Sequence, residues 1–262
     1  MNFPTVLFGP DGEQYSTYAA HTPTPATGRP SPRWGLGTQL ITPDGRRYRF
    51  AESGGSTLVI GNVLQAKAPI STDVNLTPDN AAAIGDRLIT FTHGAATVVV
   101  NMFAEGYAVI SVTPGGGDVY KILSHLALTN NTAGDVVNLD VRNQIRVALT
   151  TTSRVDLVNH PYSKVIQSPA STLSSAPVGV AVSAPLTVQF CWVQTAGVAS
   201  VLTEGTVVIG NRAVVATSTA GACGPESDTA GTMDNQVTIG RVIGVAATAA
   251  WSSVMLALDV VE

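Results

Sequence analysis

The sequence predicts an all-β protein: β-barrel or β-sandwich domains of short antiparallel strands, with an extended N-terminal arm and at most short helices. Valine is the most frequent apolar residue, with 34 copies among 262 residues. Its β-branched side chain favours the pleated backbone of a sheet. Glycine and proline together account for 40 residues and divide the chain into short segments, so long helices are not expected.

Individual strands follow from alternating or continuous apolar runs bounded by turn residues. Asp44-Gly45 lies between two such runs, residues 36–41 and 46–51, and is typical of a β-hairpin turn. Further strands are predicted at residues 57–60, 87–91, 96–101, 107–112, 119–123, 135–139, 145–149, 154–158, 179–182, 187–194, 206–209, 213–216, 237–242 and 254–261. Residues 57–62 and 206–211 share a pattern ending in Ile-Gly-Asn, which would suit two related strands of one barrel.

One short helix is the exception to this pattern. Thr77 could cap it, Pro78 suits the first helical position, and Gly85 would follow its end at Ile84. Four regions are predicted along the chain. Residues 1–34 form an extended, proline-rich arm, residues 35–80 an N-terminal β region in contact with a partner, residues 81–225 the main barrel or sandwich, and residues 226–262 C-terminal strands packed on it.

Composition limits the classes of partner. Only 12% of residues are charged, the net charge is −4, and the basic residues are 11 arginines and 3 lysines. Nucleic acid is not expected as a partner, because binding to its backbone normally needs a basic excess. The uncharged stretches within residues 164–204 and 241–259 are too rich in Pro, Ser, Thr, Ala and Gly for spanning helices, so no membrane is expected either.

No motif for catalysis or metal binding is found in the sequence. The four histidines are far apart, and Cys191 and Cys223 are expected to be reduced thiols rather than zinc ligands or a disulfide. No Gly-x-Ser-x-Gly elbow is present, and the glycine run after Pro114 lacks the Gly-Lys-Ser/Thr ending of a phosphate loop. We therefore expect no cofactor, no metal and no enzymatic activity. The rival hypothesis of an enzyme on a β scaffold requires a cluster of carboxylates or a base beside a nucleophile.

An arginine cluster with interleaved aromatic residues is the strongest candidate for a partner interface. Its members are Arg29, Arg33, Trp34, Arg46, Arg47 and Arg49. Strand alternation predicts Arg47 and Arg49 on one face and Arg46, Tyr48 and Phe50 on the other. Such a face could bind an acidic partner through bidentate ion pairs, or it could be a solvated edge strand whose charges block strand addition.

The strand at residues 187–194 carries Phe190 and Trp192 and leaves two interpretations open. The first is that both rings belong to the core, and the second is that they form a sugar-binding platform.

Several segments between about residues 85 and 225 resemble a group of tailed-bacteriophage virion proteins. The similar strings, in chain order, are Tyr120-Lys121-Ile122, Val147-Ala148-Leu149-Thr150-Thr151, Asn159-His160-Pro161-Tyr162, Trp192-Val193-Gln194 and Gly205-Thr206-Val207-Val208-Ile209-Gly210-Asn211. The resemblance implies a head decoration, or cement, protein that is made in the host cytoplasm and binds the outside of an icosahedral capsid. There it would stabilise contacts between subunits of the major capsid protein.

The resemblance further implies self-association, as a homotrimer or alternatively a dimer, and it brings no catalytic residues. A phage head fibre or a carbohydrate-binding adhesin for the host surface is the alternative function.

Overall fold

In a computed structural model of the chain, the described residues are 6–10, 12–19, 34–94, 97–129, 131–227, 236–246 and 250–258. Among the described residues, 43% are in strands or bridges and 3% in helices, and none of the described helices reaches seven residues. The sheets form a sandwich-like arrangement and a curled half-barrel. The predicted all-β fold is confirmed.

The described strands, numbered in chain order, are β1 (Val6–Phe8), β2 (Thr17–Tyr18), β3 (Gln39–Ile41), β4 (Arg47–Glu52), β5 (Val63–Gln65), β6 (Thr77–Pro78), β7 (Leu88–Thr92), β8 (Tyr107–Val112), β9 (Val119–His125), β10 (Asp135–Leu139), β11 (Arg154–Val158), β12 (Ile166–Gln167), β13 (Pro177–Ala181), β14 (Phe190–Leu202), β15 (Arg212–Val215), β16 (Cys223–Pro225), β17 (Thr238–Gly244) and β18 (Trp251–Ala257). Two short 3-10 helices lie at Glu13–Tyr15 and Ser71–Asp73.

The chain forms two compact units, divided differently from the predicted regions. Pro69–His160 form an inserted unit, and the described residues before and after it form a discontinuous unit. Strand β5 joins the two segments of the discontinuous unit. It pairs with β12 and β13, about a hundred residues further along the chain. Local patterns carry no signal for pairing at such separation, which is why the predicted region 81–225 spans parts of both units.

The inserted unit has a six-stranded sheet in the order β11-β8-β9-β10-β7-β6. Alternation along β9 buries Tyr120 and Ile122 and turns Val119 and Lys121 away from the core. Strand β8 contributes Ile110 to the same core. This unit therefore has its own hydrophobic centre.

The predicted helix at residues 77–84 is wrong. Thr77 and Pro78 form β6 and pair with Thr92 and Phe91 of β7. The Asp79 carboxylate accepts hydrogen bonds from the Thr92 hydroxyl at 2.7 Å and the Gly134 N–H at 2.6 Å, which holds the segment extended. The fixed φ of proline suits an edge strand as well as a first helical turn, so the proline signal was ambiguous.

The discontinuous unit has a long sheet path, β1-β3-β4-β14-β18-β17-β15-β16. The thirteen-residue strand β14 pairs with β4 through its first half and with β18 through its second. Phe190 and Trp192 are fully buried beside Tyr48 and Phe50. The core interpretation of this aromatic strand is confirmed, and the sugar-binding platform is wrong.

The predicted extended arm differs from the structure where residues 1–34 are described. Strand β1 pairs in parallel with β3, and β2 pairs with the start of β14. The Trp34 ring packs 5.3 Å from Phe50 and 5.2 Å from Trp192, between ring centroids. Leu7, Tyr18 and Trp34 pack against this core and gain burial there, which explains why this part of the chain is not a free arm. The proline-rich segment at residues 21–33 lies outside the described residues.

The strands predicted at residues 57–60 and 206–209 are turns instead. The Asn62 N–H donates to the Val59 carbonyl at 3.1 Å, and the Asn211 N–H donates to that of Val208 at 3.1 Å. Gly61 and Gly210, which precede these asparagines, have positive φ angles of +81° and +89°. Glycine is favoured at the third position of a four-residue turn when that position has a positive φ. The shared hexapeptide therefore encodes a turn.

Two other predicted strands are reduced to single bridges. Within residues 97–101 only Val98 bridges, to Leu128, and Ala96 lies outside the described residues. Within residues 145–149 only Leu149 bridges, to Ala82.

Candidate functional site

Strands β1, β3 and β4 place six side chains on one face of the discontinuous unit. Val6, Gln39 and Arg49 occupy one aligned row, and Phe8, Ile41 and Arg47 occupy the next. Residues in register point to the same side of a sheet. We call these six residues, Val6, Phe8, Gln39, Ile41, Arg47 and Arg49, the arginine face.

The opposite side of the same strands is core. Leu40 and Tyr48 are fully buried there, and burial raises the pKa of Tyr48 to about 12. Arg46 lies on this side, with its guanidinium 5.9 Å from the centre of the Tyr48 ring and its Nε 2.5 Å from a carboxylate oxygen of Asp44. A hydrogen bond from the Thr42 hydroxyl helps to hold the pKa of Asp44 at about 2. The predicted alternation of Arg46, Arg47, Tyr48 and Arg49 is present in the structure.

The arginine face offers an unusual surface to its surroundings. Phe8 is 84% exposed, more than any other large apolar side chain among the described residues. Arg47 makes no ion pair with another described residue, and Arg49 Nη1 donates to the Gly37 carbonyl at 3.0 Å. Aromatic rings and arginine are the residue types enriched at protein interfaces. The face therefore has the composition of a contact surface.

The structure brings together only part of the predicted interface. Arg47 and Arg49 lie on the arginine face, Arg46 lies behind it, and Trp34 is a core residue. Arg29 and Arg33 lie outside the described residues.

The sequence did not point to Phe8 or Val6 as members of the site. They reach the face because β1 pairs in parallel with β3, about 30 residues further along the chain. Local sequence patterns do not predict such a pairing.

Two buried ionisable groups elsewhere lie in ion-pair geometry with a partner. Lys164 Nζ lies 2.6 Å from a carboxylate oxygen of Glu52, whose pKa is raised by burial although the lysine opposes that shift. His93 Nε2 lies 3.0 Å from Asp73 Oδ1, and His93 Nδ1 has no hydrogen-bond partner among the described residues. No described hydroxyl or thiol is therefore bonded to that imidazole.

Both cysteines are free thiols, as predicted, and both are buried. Burial raises the pKa of Cys191 to about 12 and that of Cys223 to about 11, so both thiols stay protonated at neutral pH.

His125 predicts a pH dependence of stability. Its Nδ1 faces the Leu126 carbonyl at 2.6 Å, and its Nε2 accepts the Phe103 N–H at 2.9 Å. Only the neutral ring fits both bonds, and burial lowers the pKa of His125 below its ordinary 6.5. The unfolded chain therefore binds a proton first as the pH falls, so the stability linked to this ring is complete above pH 6.5 and declines below it.

The expected slope is at most about 1.4 kcal/mol per pH unit. Urea unfolding at a series of pH values between 7.5 and 5 measures it, and the His125→Gln variant serves as the control. Loss of this part of the slope in the variant is expected, whereas an unchanged slope would show that His125 does not carry it.

A depression of about 600 Å³ lies in the inserted unit, with Tyr120, Arg142 and Arg146 in its lining. Arg146 Nη2 is already bonded to Asp118 at 2.6 Å, and the Tyr120 hydroxyl donates to the same carboxylate at 2.7 Å. These groups satisfy one another, so we place the candidate site on the arginine face.

Comparison of the chain with protein-family models, with curated proteins and with solved structures finds no match. Among the described residues, no three His, Cys, Asp or Glu side chains lie together in a way that could hold a metal ion. None of the described helices has the length and apolar character needed to cross a membrane.

Proposed function

We propose that this chain is a structural virion protein of a tailed bacteriophage, a head decoration protein that binds the outside of the capsid and stabilises contacts between major capsid subunits. It catalyses no reaction. It acts as a homo-oligomer, a trimer by preference and a dimer as the alternative. Two features support the proposal: the sequence resemblance described above and the arginine face.

The observation that carries the proposal is the alignment of the exposed Phe8 ring with Ile41 and Arg47. A nearly fully exposed phenylalanine gains by burial against another protein. The guanidinium of Arg47, two strands away in the same row, is weakly hydrated and can bind a carboxylate with two parallel hydrogen bonds. The chemistry fits a protein partner that offers an apolar recess bordered by Asp or Glu.

Repetition makes a small contact of this kind sufficient. A symmetric oligomer presents one arginine face per copy to a shell that repeats its own surface. Simultaneous contacts raise the overall affinity by orders of magnitude over a single one. Modest binding energy per copy therefore suits decoration of a capsid.

Capsid binding by a double variant tests the assignment. Phe8→Ser with Arg47→Glu is expected to weaken binding to empty capsids about 100-fold, because an aromatic anchor and an arginine are the residues that dominate interface energies. Both side chains point away from the core, so the fold is expected to persist. Occupancy is measured by co-sedimentation of purified protein with capsids.

The matched control is Ile84→Ser with Arg87→Glu, which makes the same kinds of change at exposed positions of the inserted unit. The control is expected to bind as the unaltered protein does. Equal binding by the Phe8/Arg47 variant would remove the arginine face from the capsid contact.

A further inference from the structure

A second exposed surface lies on the far half of the long sheet, on strands β14, β17 and β18. Val198 of β14 is in register with Met255 of β18, which is in register with Arg241 of β17. Leu202 is in register with Trp251 at the other end of the same strand pair. We call the exposed side of these three strands the outer face.

Large apolar side chains occupy the outer face. Val198, Ile243, Trp251 and Met255 are between 41% and 52% exposed, while the residues between them, such as Val254 and Leu256, are buried on the inner side. The surface continues at one corner, where the backbone of Gly61 packs against the Trp251 indole and presents the exposed Ile60. The patch is therefore continuous across three strands and the adjoining turn.

The outer face is almost free of charge. Arg241 is the sole charged residue within the three strands, and its Nη1 donates to the Gly210 carbonyl of its own chain at 3.0 Å. Ser200 and Ser253 are exposed polar side chains that lie between the apolar ones. Two copies of this surface can therefore pack against each other without repulsion between rows of like charges.

We propose that the outer face is the surface through which copies of this chain associate. Its exposed apolar side chains form a patch of a few hundred Å², the size at which an apolar patch on a protein surface (about 300–600 Å²) is often functional, and a substantial part of the ~800 Å² per partner of a stable interface.

An apolar, charge-poor composition is that of permanent homo-oligomers rather than of transient contacts. A partner available from synthesis onward, at equal concentration, is another copy of the chain. The capsid contact would then remain with the arginine face.

This inference deepens the proposed function, because a shell-binding oligomer needs a surface that joins its copies, but its test uses the purified protein alone. Association without capsid binding would overturn the proposed function and keep this interface. Capsid binding by a monomer would keep the capsid-binding function and overturn this interface.

Light scattering on the full chain tests the interface. The unaltered protein is expected to show a mass of at least two 27.0 kDa chains. The double variant Val198→Lys with Met255→Lys places two cations side by side on the outer face and is expected to shift the mass to one chain. The control, Ile84→Lys with Leu88→Lys, alters apolar residues that are at least as exposed in the inserted unit and is expected to keep the full mass.

A monomeric unaltered protein at high micromolar concentration would overturn the inference, as would a double variant that stays associated. A second measurement covers the case in which the lysine variant fails to fold. Ser253→Cys puts a thiol at the centre of the outer face, and Ser111→Cys puts one at an exposed position of β8 in the inserted unit. The native thiols stay protonated and buried and do not interfere.

Alkylation of the Ser253→Cys thiol is expected to be about tenfold or more slower than that of Ser111→Cys at high protein concentration, because a thiol in an interface reacts only after dissociation. Dilution should remove the difference. Equal rates at high concentration would show that the outer face is open to solvent and would overturn the inference.

Discussion

Replacing Trp192 with alanine is expected to lower the free energy of unfolding by about 3–5 kcal/mol. Trp192 is fully buried, and its ring centroid lies 5.0 Å from that of Phe50 and 5.2 Å from that of Trp34. Removal of the indole leaves a cavity that the surrounding strands β4 and β14 cannot close. Urea unfolding followed by circular dichroism measures the loss.

Trp192→Phe is the matched control. The Trp192 Nε1 has no hydrogen-bond partner among the described residues, so phenylalanine loses volume but no hydrogen bond. A cost of about 1.5 kcal/mol is expected for a change that keeps most of the ring. Equal stability of the alanine variant and the unaltered protein would contradict the central place of this aromatic cluster in the fold.

Gly61→Ala is expected to cost about 3 kcal/mol, against about 1 kcal/mol for Gly210→Ala. Both glycines occupy the same turn with similar positive φ, so the backbone penalty for an L side chain is common to them. A Cβ on Gly61 would lie 2.3 Å from the Trp251 Nε1, whereas one on Gly210 would meet no atom within 4 Å. The difference between the two variants isolates the packing of Gly61 against Trp251.

Thermal or urea unfolding of the two variants, compared under one condition, measures this difference. Equal losses of stability would show that the indole moves aside at little cost. A larger loss for Gly210→Ala would contradict the packing of this corner altogether. Because Trp251 also belongs to the outer face, displacement of its ring in Gly61→Ala should weaken self-association as well.

Local chemistry was sufficient to predict much of the fold. The Asp44-Gly45 turn and the alternation after it correctly placed Tyr48 and Arg47 on opposite faces of the strand, because side chains alternate with a period of two residues. The same holds for Tyr107–Val112 and Arg154–Val158, whose predicted bounds match the strands.

Long-range pairing explains most of what the sequence did not reveal. The parallel pairing of β1 with β3 brings Phe8 to the arginine face, and the pairing of β5 with β13 joins the two chain segments of the discontinuous unit. In both pairs, the residues of one strand contain no pattern that identifies the strand with which it pairs. The Thr77-Pro78 signal failed for a different reason, since proline is equally compatible with an edge strand.

The most direct test of the proposed function is to mix purified protein with empty capsids of the phage that the proposal makes its source, and to count bound copies as the protein concentration rises. Decoration predicts saturation at a fixed number of copies per capsid, set by the symmetry of the shell, and greater resistance of the filled capsid to heat. Binding that never saturates, or capsids that stay bare at high protein concentration, would contradict it.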